Sequence, residues 1–247
     1  MLKGVAAVDE AKKKVKMGFV GGMGPQAGVA LAKWFTTFTD AQKDQEHFEF
    51  VLVSKPSTPD RTEFLKGIGQ DPAPYIIEAV KELEDVGCTH YAIGCNSAHA
   101  PQIIDRILPT TRMQNVSIVN SVMYALHELA LKPGAKVGLM STEGTVVAGT
   151  YQTALTRTGY ECILPSGDNP ATNQTSVNEG IRAVKAGDMA LGNAHFAKVA
   201  EDLRSNGAKA LLLACTEIPL AYSSQDSIDT TAALAKACVR ICVENKA

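Results

Sequence analysis

A shift of 120 residues carries one half of this 247-residue chain onto the other at five places. Gly18 falls on Gly138, Gly24 on Gly144, Leu83 on Leu203, Gly87 on Gly207 and Cys95 on Cys215. A strand glycine, a turn glycine, a helix leucine, a helix-stop glycine and a cysteine thus recur at the same spacing. A repeat of this period points to two similar units in tandem. Each cysteine follows a short apolar run, Tyr91-Ala92-Ile93-Gly94 or Leu211-Leu212-Leu213-Ala214, and precedes small polar residues and then Pro101 or Pro219. That order is how a parallel sheet in an α/β fold delivers a side chain to its ligand crevice.

Within the first unit, Met17–Gly21 reads as a buried strand and Gly22-Met23-Gly24-Pro25 as the turn after it. Pro25 suits the first helical position, where its missing N–H does no harm. Ala27, Ala30, Leu31, Trp34, Phe35 and Phe38 then recur at helical spacing. Residues 48–53 predict a second strand, 54–62 a turn-rich loop, 75–86 an amphipathic helix stopped by Gly87, and 89–94 the strand that presents Cys95. From Val116 the pattern begins again. An apolar stretch at 116–119 leads into a helix through Leu131, followed by strands at 136–140 and 160–164. Helices are expected at 178–186 and 194–206, then a strand at 209–214 presenting Cys215, and a last amphipathic helix over about 229–243. The fold expected is α/β, with two flavodoxin-like domains whose parallel sheets are related by a pseudo-two-fold axis. The first domain is expected to begin the chain and end at residue 113, and the second to take 114–226.

Several function classes are excluded on composition. A net charge of −2 gives no surface for nucleic acid, and Lys12-Lys13-Lys14 with Lys16 reads as a solvated lead-in. No apolar run approaches the roughly 20 residues that span a bilayer. The N-terminal segment lacks the order of charge and apolar core that marks a secretory signal. Six irregularly spaced cysteines without that signal argue against a disulfide scaffold and for a reduced, cytoplasmic protein. With no C-x-x-C pair and five scattered histidines, no metal site is expected.

A buried cysteine is ordinarily a small hydrophobe. That reading suits Cys88, Cys162 and the i, i+4 pair Cys238 and Cys242. Cys95 and Cys215 differ in standing at a strand end just ahead of a helix start, where backbone N–H groups favour a thiolate. Two identical acid–base groups on opposite sides of one crevice suit a reaction that takes a proton from one face of a carbon and returns one to the other. That reaction is racemisation, and the pair would titrate as a coupled unit. No cofactor is indicated to take up the negative charge, so hydrogen-bond donors around the substrate carboxylate have to stabilise the enediolate-like state. Met23 and Gly24, Thr142 in Ser141-Thr142-Glu143-Gly144, and Asn96, Ser97 and Thr216 stand at strand C-termini where such donors are needed. Arg61 suits a two-pronged grip on a carboxylate, with Lys185 as a second cationic anchor from the other half.

Gly21-Gly22-Met23-Gly24-Pro25, Pro59-Asp60-Arg61-Thr62, Cys95-Asn96-Ser97-Ala98-His99 and Cys215-Thr216-Glu217-Ile218-Pro219-Leu220 together resemble the motifs of the cofactor-independent aspartate/glutamate racemases, in order from about Met17 onward. The resemblance implies two similar α/β domains, one catalytic cysteine from each, a final helix packed back on the first domain, which thereby takes residues 1–113 and 227–247, and a homodimer. It places Cys95 and Cys215 at the catalytic positions and Arg61 and Lys185 on the side-chain carboxylate. Asn96, Ser97 and Thr216 fall on positions for the α-carboxylate, with His99 and Glu217 supporting the thiols. Ser97 stands where threonine is commoner, and Val119-Asn120-Ser121 departs from the usual segment, which bears on side-chain specificity. Glu217 replaces the histidine of the cell-wall glutamate racemases, so the aspartate branch is favoured, with glutamate as the other acidic substrate.

Other readings compete. Gly22-Met23-Gly24-Pro25-Gln26-Ala27 fits G-x-G-x-x-A after a strand, as a dinucleotide site would, but Val53-Ser54-Lys55 lacks the acidic residue expected on the ribose. A non-catalytic amino-acid sensor would use two lobes around a cleft without needing two matched thiols. Hydantoin racemases, maleate isomerases and arylmalonate decarboxylases share one or both cysteine positions, and Arg61 argues for an acidic side chain instead.

Overall fold

The computed structural model describes residues 15–167 and 169–246. The Lys12-Lys13-Lys14 cluster lies outside them, while Lys16 Nζ donates to the Val86 carbonyl at 2.8 Å. The first half runs β1 (Met17–Gly21), α1 (Pro25–Phe38), β2 (Phe50–Ser54), α2 (Arg61–Leu65), α3 (Ala73–Asp85), β3 (His90–Ile93), α4 (Pro101–Ile107), β4 (Gln114–Val116) and α5 (Ile118–Glu128). The second runs β5 (Lys136–Ser141), α6 (Glu143–Ala148), α7 (Thr150–Arg157), β6 (Glu161–Ile163), α8 (Gln174–Lys185), α9 (Met189–Ser205), β7 (Ala210–Ala214), α10 (Ile218–Ala221), β8 (Ser227–Asp229) and α11 (Thr230–Glu244). Among the described residues no helix is long and apolar enough to cross a membrane.

Two four-stranded parallel sheets result, ordered β2-β1-β3-β4 and β6-β5-β7-β8. Both have the flavodoxin-like order, which reverses between the first and third strands and opens a crevice beyond their carboxyl ends. The domain limits expected at 113/114 and 226/227 each fall just ahead of a strand. Residues 114–116 pair with β3 in the first sheet, and residues 227–229 pair with β7 in the second. Both strands are three residues long, too short for an alternating pattern to stand out.

The helix after each of these short strands crosses to the other domain. Val122 and Leu126 of α5 pack with Val137 and Leu139 of the second sheet. In the same way Leu234, Cys238 and Cys242 of α11 pack with Phe19, Leu31 and Phe35 of the first. Each domain therefore closes its core with a helix supplied through the other's last strand, and the two connections at 117 and 229–230 hold the halves together.

The repeated residues have a common packing cause. A Cβ on Gly18 would meet the Leu83 side chain at 2.9–3.2 Å, and one on Gly138 would meet Leu203 at 3.1–3.2 Å. In both halves the bare strand backbone lets a helix leucine sit directly on the sheet. Gly87 and Gly207, at φ 80° and 97°, end the helices that carry those leucines in the left-handed conformation glycine tolerates.

Candidate active site

Cys215 follows β7 directly and Cys95 follows β3 by one residue, so both stand at the carboxyl ends of central strands. Each thiol residue is only 5 % exposed. They share one crevice of about 20 Å³ between the domains, walled also by Met23, Arg61, Asn96, Ser97, Thr142, Lys185, Thr216 and Glu217. Of the residues singled out from the sequence, Gly24 and His99 alone do not line this crevice. Gly24 lines an adjoining outer chamber of about 520 Å³, which shares Asp60, Arg61, Lys185 and Glu217 with it.

The two thiols have unlike surroundings. Cys215 Sγ donates to Glu217 Oε2 at 3.0 Å, and the Thr216 hydroxyl donates to the same oxygen at 3.3 Å. Burial first, then the charge and acceptor of Glu217, push the Cys215 thiol well above its ordinary range, with Lys185 pulling weakly the other way. Cys215 is thus held as a thiol. Beside Cys95 stands His99. His99 Nδ1 lies 2.9 Å from the Cys95 carbonyl oxygen, so that nitrogen carries the proton and donates. Burial lowers the His99 ring to about 4, and its Nε2 is buried without a hydrogen-bond partner.

Asn96 lines the crevice, and its side chain is also bonded across the domain boundary. Its Oδ1 accepts from the Tyr151 hydroxyl at 2.5 Å, and its Nδ2 donates to Thr230 Oγ1, which in turn donates to the Leu213 carbonyl. The amide therefore ties β3 of the first domain to α7 and to the start of α11. Tyr151, Thr145 and Thr230, all wholly buried, were not legible as site residues, because each contacts the site only through tertiary packing. Ser97 is joined to the second domain by hydroxyls, with Thr142 Oγ1 at 3.0 Å and Thr145 Oγ1 at 2.8 Å.

Arg61 opens the short helix α2 rather than lying in a loop. Asp60 caps that helix by accepting from the Glu63 N–H at 3.0 Å, and the Asp60…Glu63 spacing is the sequence signal that would have revealed it. Arg61 is 9 % exposed, and its guanidinium is held by the carbonyls of Thr58 (3.1 Å), Pro59 (2.7 Å) and Met23 (3.3 Å). Its Nε–H is buried and has no hydrogen-bond partner among the described residues. Lys185, the last residue of α8, is exposed and lines both compartments. A fixed guanidinium with a spare donor, faced by an ammonium from the other domain, suits an anion.

Residues 20–238 match the family described as Asp/Glu/Hydantoin racemase. The chain belongs to that family. Among solved structures it is similar to an aspartate racemase from Picrophilus torridus, at 30% identity and a TM-score of 0.81, covering 93% of this chain and 94% of that one. It also shares its fold with an aspartate racemase homologue from Pyrococcus horikoshii (22% identity, TM-score 0.67, 93% and 97% covered). A glutamate racemase isoform from Bacillus anthracis has the same fold at 15% identity and TM-score 0.65, with 95% and 84% covered. Membership in this family supports racemase-type chemistry.

In this racemase-family chain the glycine-rich turn is explained by its own packing. A Cβ on Gly22, at φ 92°, would come within 2.4 Å of the Lys55 backbone, and one on Gly24 within 2.9 Å of Glu217 Oε1. Both glycines thus admit other parts of the protein, where a dinucleotide site would use them to admit a pyrophosphate. Lys55, at the position of the missing ribose acid, pairs with Glu78 and Glu82. Among the described residues no group of three or more His, Cys, Asp or Glu side chains is placed to hold a metal ion.

Proposed function

We propose that this protein interconverts the enantiomers of an acidic amino acid, aspartate before glutamate, by proton transfer between Cys95 and Cys215 and without a cofactor. The observation that carries this reading is the pair of buried thiols on one crevice, delivered by equivalent strands of two repeated domains. The similarity to the Picrophilus torridus aspartate racemase supports the aspartate preference, as does Glu217 beside the second thiol.

In one direction Cys95, as thiolate, takes the Cα proton while Cys215 gives its own to the opposite face, and in the other direction the roles exchange. Arg61 and Lys185 hold the side-chain carboxylate. Asn96, Ser97 and Thr216, with Thr142 and turn N–H groups beside them, hold the α-carboxylate and stabilise the enediolate-like intermediate. The protein acts in the cytoplasm, as a homodimer; light scattering on the purified protein tests the dimer.

The deciding experiment incubates L-aspartate, and separately L-glutamate, with the protein in D₂O and follows optical rotation and deuterium at Cα. Inversion with deuterium incorporation is expected. No change with either acid, alongside turnover of a 5-substituted hydantoin or binding without turnover, would replace this reading by the hydantoin racemase or the sensor.

A further inference from the structure

The two oxygens of Glu217 face different compartments. Oε2 accepts from the Cys215 thiol at 3.0 Å inside the crevice. Oε1 has no hydrogen-bond partner among the described residues and lies against Gly24, where a Cβ would approach it to 2.9 Å. Gly24 lines the outer chamber and not the crevice, whereas Glu217 lines both. Glu217 itself is 6 % exposed. A carboxylate shielded from bulk water therefore touches a thiol with one oxygen and the wall of the outer chamber with the other.

A two-thiol racemase needs a connection of this kind, and the inference rests on that reading. Each turnover leaves the thiols in the opposite protonation state, so before a second substrate of the same hand can react, one thiol has to lose a proton and the other gain one. A crevice of about 20 Å³ holds about one water, so Cys215 has little solvent of its own to exchange a proton with. We propose that Glu217 is a proton relay that resets Cys215 between turnovers. The S–H bond breaks as an O–H bond forms at Oε2. A half-turn of the carboxyl group then presents that proton to the outer chamber, where water accepts it. Reprotonation runs the same steps backwards.

Glu217→Gln keeps the shape and an acceptor for the thiol but cannot carry a proton. With the wild type, the net rate at a fixed ratio of enantiomers should rise to a plateau as total substrate increases. In Glu217→Gln it should pass through a maximum and decline, falling about tenfold or more at high substrate, because substrate captures both protonation forms before they reset. Glu217→Asp, which keeps the carboxylate, should recover the plateau and covers the case in which the glutamine variant fails to fold. A glutamine variant that is slower at every concentration yet keeps the wild-type plateau overturns the relay. So does an aspartate variant that declines as the glutamine variant does. Alkylation of Cys215 by iodoacetamide, followed by mass spectrometry against pH, separates this failure from failure of the racemase reading. Its midpoint should drop in Glu217→Gln, and an unmoved midpoint overturns the thiol–carboxylate pair. A wild type that racemises neither acid while the midpoint still drops overturns the racemase reading, and the resetting role with it.

Discussion

Ser97 Oγ of the first domain lies 2.8 Å from Thr145 Oγ1 of the second, and both touch Thr142 Oγ1, at 3.0 and 3.1 Å. Three hydroxyls thus close a triangle across the domain boundary beside the thiols. The same edge is reinforced by the Lys66–Glu143 ion pair at 2.7 Å and by Gly144, whose missing Cβ admits the Thr62 backbone. These contacts draw the two domains together along one edge of the crevice.

Thr145→Val keeps the side-chain volume and removes one corner of the triangle. It should cost about 1 kcal/mol of stability, read from the urea midpoint. If the triangle holds the site closed, KM should rise more than kcat falls. A double-mutant cycle with Ser97→Ala should give a coupling of about 0.5 kcal/mol or more. Additive effects would mean that the two hydroxyls do not cooperate.

Cys95→Ser and Cys215→Ser should each lower racemisation by about 10²–10⁴-fold, the usual range for a positioned acid or base. In D₂O each variant should still exchange the α-hydrogen of one enantiomer, and the two variants should prefer opposite hands. Full activity in either variant would remove the facing-thiol mechanism.

Arg61→Lys keeps the charge and loses the fork. Lysine cannot satisfy the Thr58, Pro59 and Met23 carbonyls and also offer a spare N–H to substrate, so two losses are expected together. Stability should fall by about 1–3 kcal/mol. In the same variant kcat/KM for aspartate should fall about tenfold or more, chiefly through KM. A wild-type KM in Arg61→Lys would take the carboxylate away from this residue.

The parts of the fold legible in the sequence were those repeated or sharply punctuated. Gly18 and Gly138, Gly87 and Gly207, and the two cysteines marked both sheets, because a bare strand under a leucine and a left-handed helix stop leave few alternatives to glycine. What escaped was short or tertiary. The strands β4 and β8, Gln114-Asn115-Val116 and Ser227-Ile228-Asp229, carry one apolar residue each and too little pattern to be seen, whereas the equally short β6 lies in the longer run 160–164. The helices α6 and α7 carry Thr145 and Tyr151 respectively, whose importance comes from partners in the other domain. The crevice residues could be named from strand ends and motifs, but not the commitment of the Asn96 amide, which depends on Tyr151 and Thr230 arriving from 55 and 134 residues away.

His99 should make the protein sensitive to mild acid. Its Nδ1–H donates to the Cys95 carbonyl, its Nε2 is buried without a partner, and burial lowers its pKa from 6.5 to about 4. The folded state therefore keeps the ring neutral where the unfolded chain has already taken up a proton. Because the folded pKa is the lower one, this contribution to stability is complete above pH 6.5 and is lost as the pH falls from 6.5 to about 4. At about 1.4 kcal/mol per pKa unit the loss is about 3 kcal/mol. Urea midpoints measured between pH 7.5 and 4.5 should fall steeply in the wild type and less so in His99→Gln, which keeps a donor for the Cys95 carbonyl. His90, also lowered by burial, titrates in both proteins and cancels in the difference. Equal slopes in the two proteins would mean that the ring is protonated in the folded state, and that the Cys95 strand end carries a positive charge.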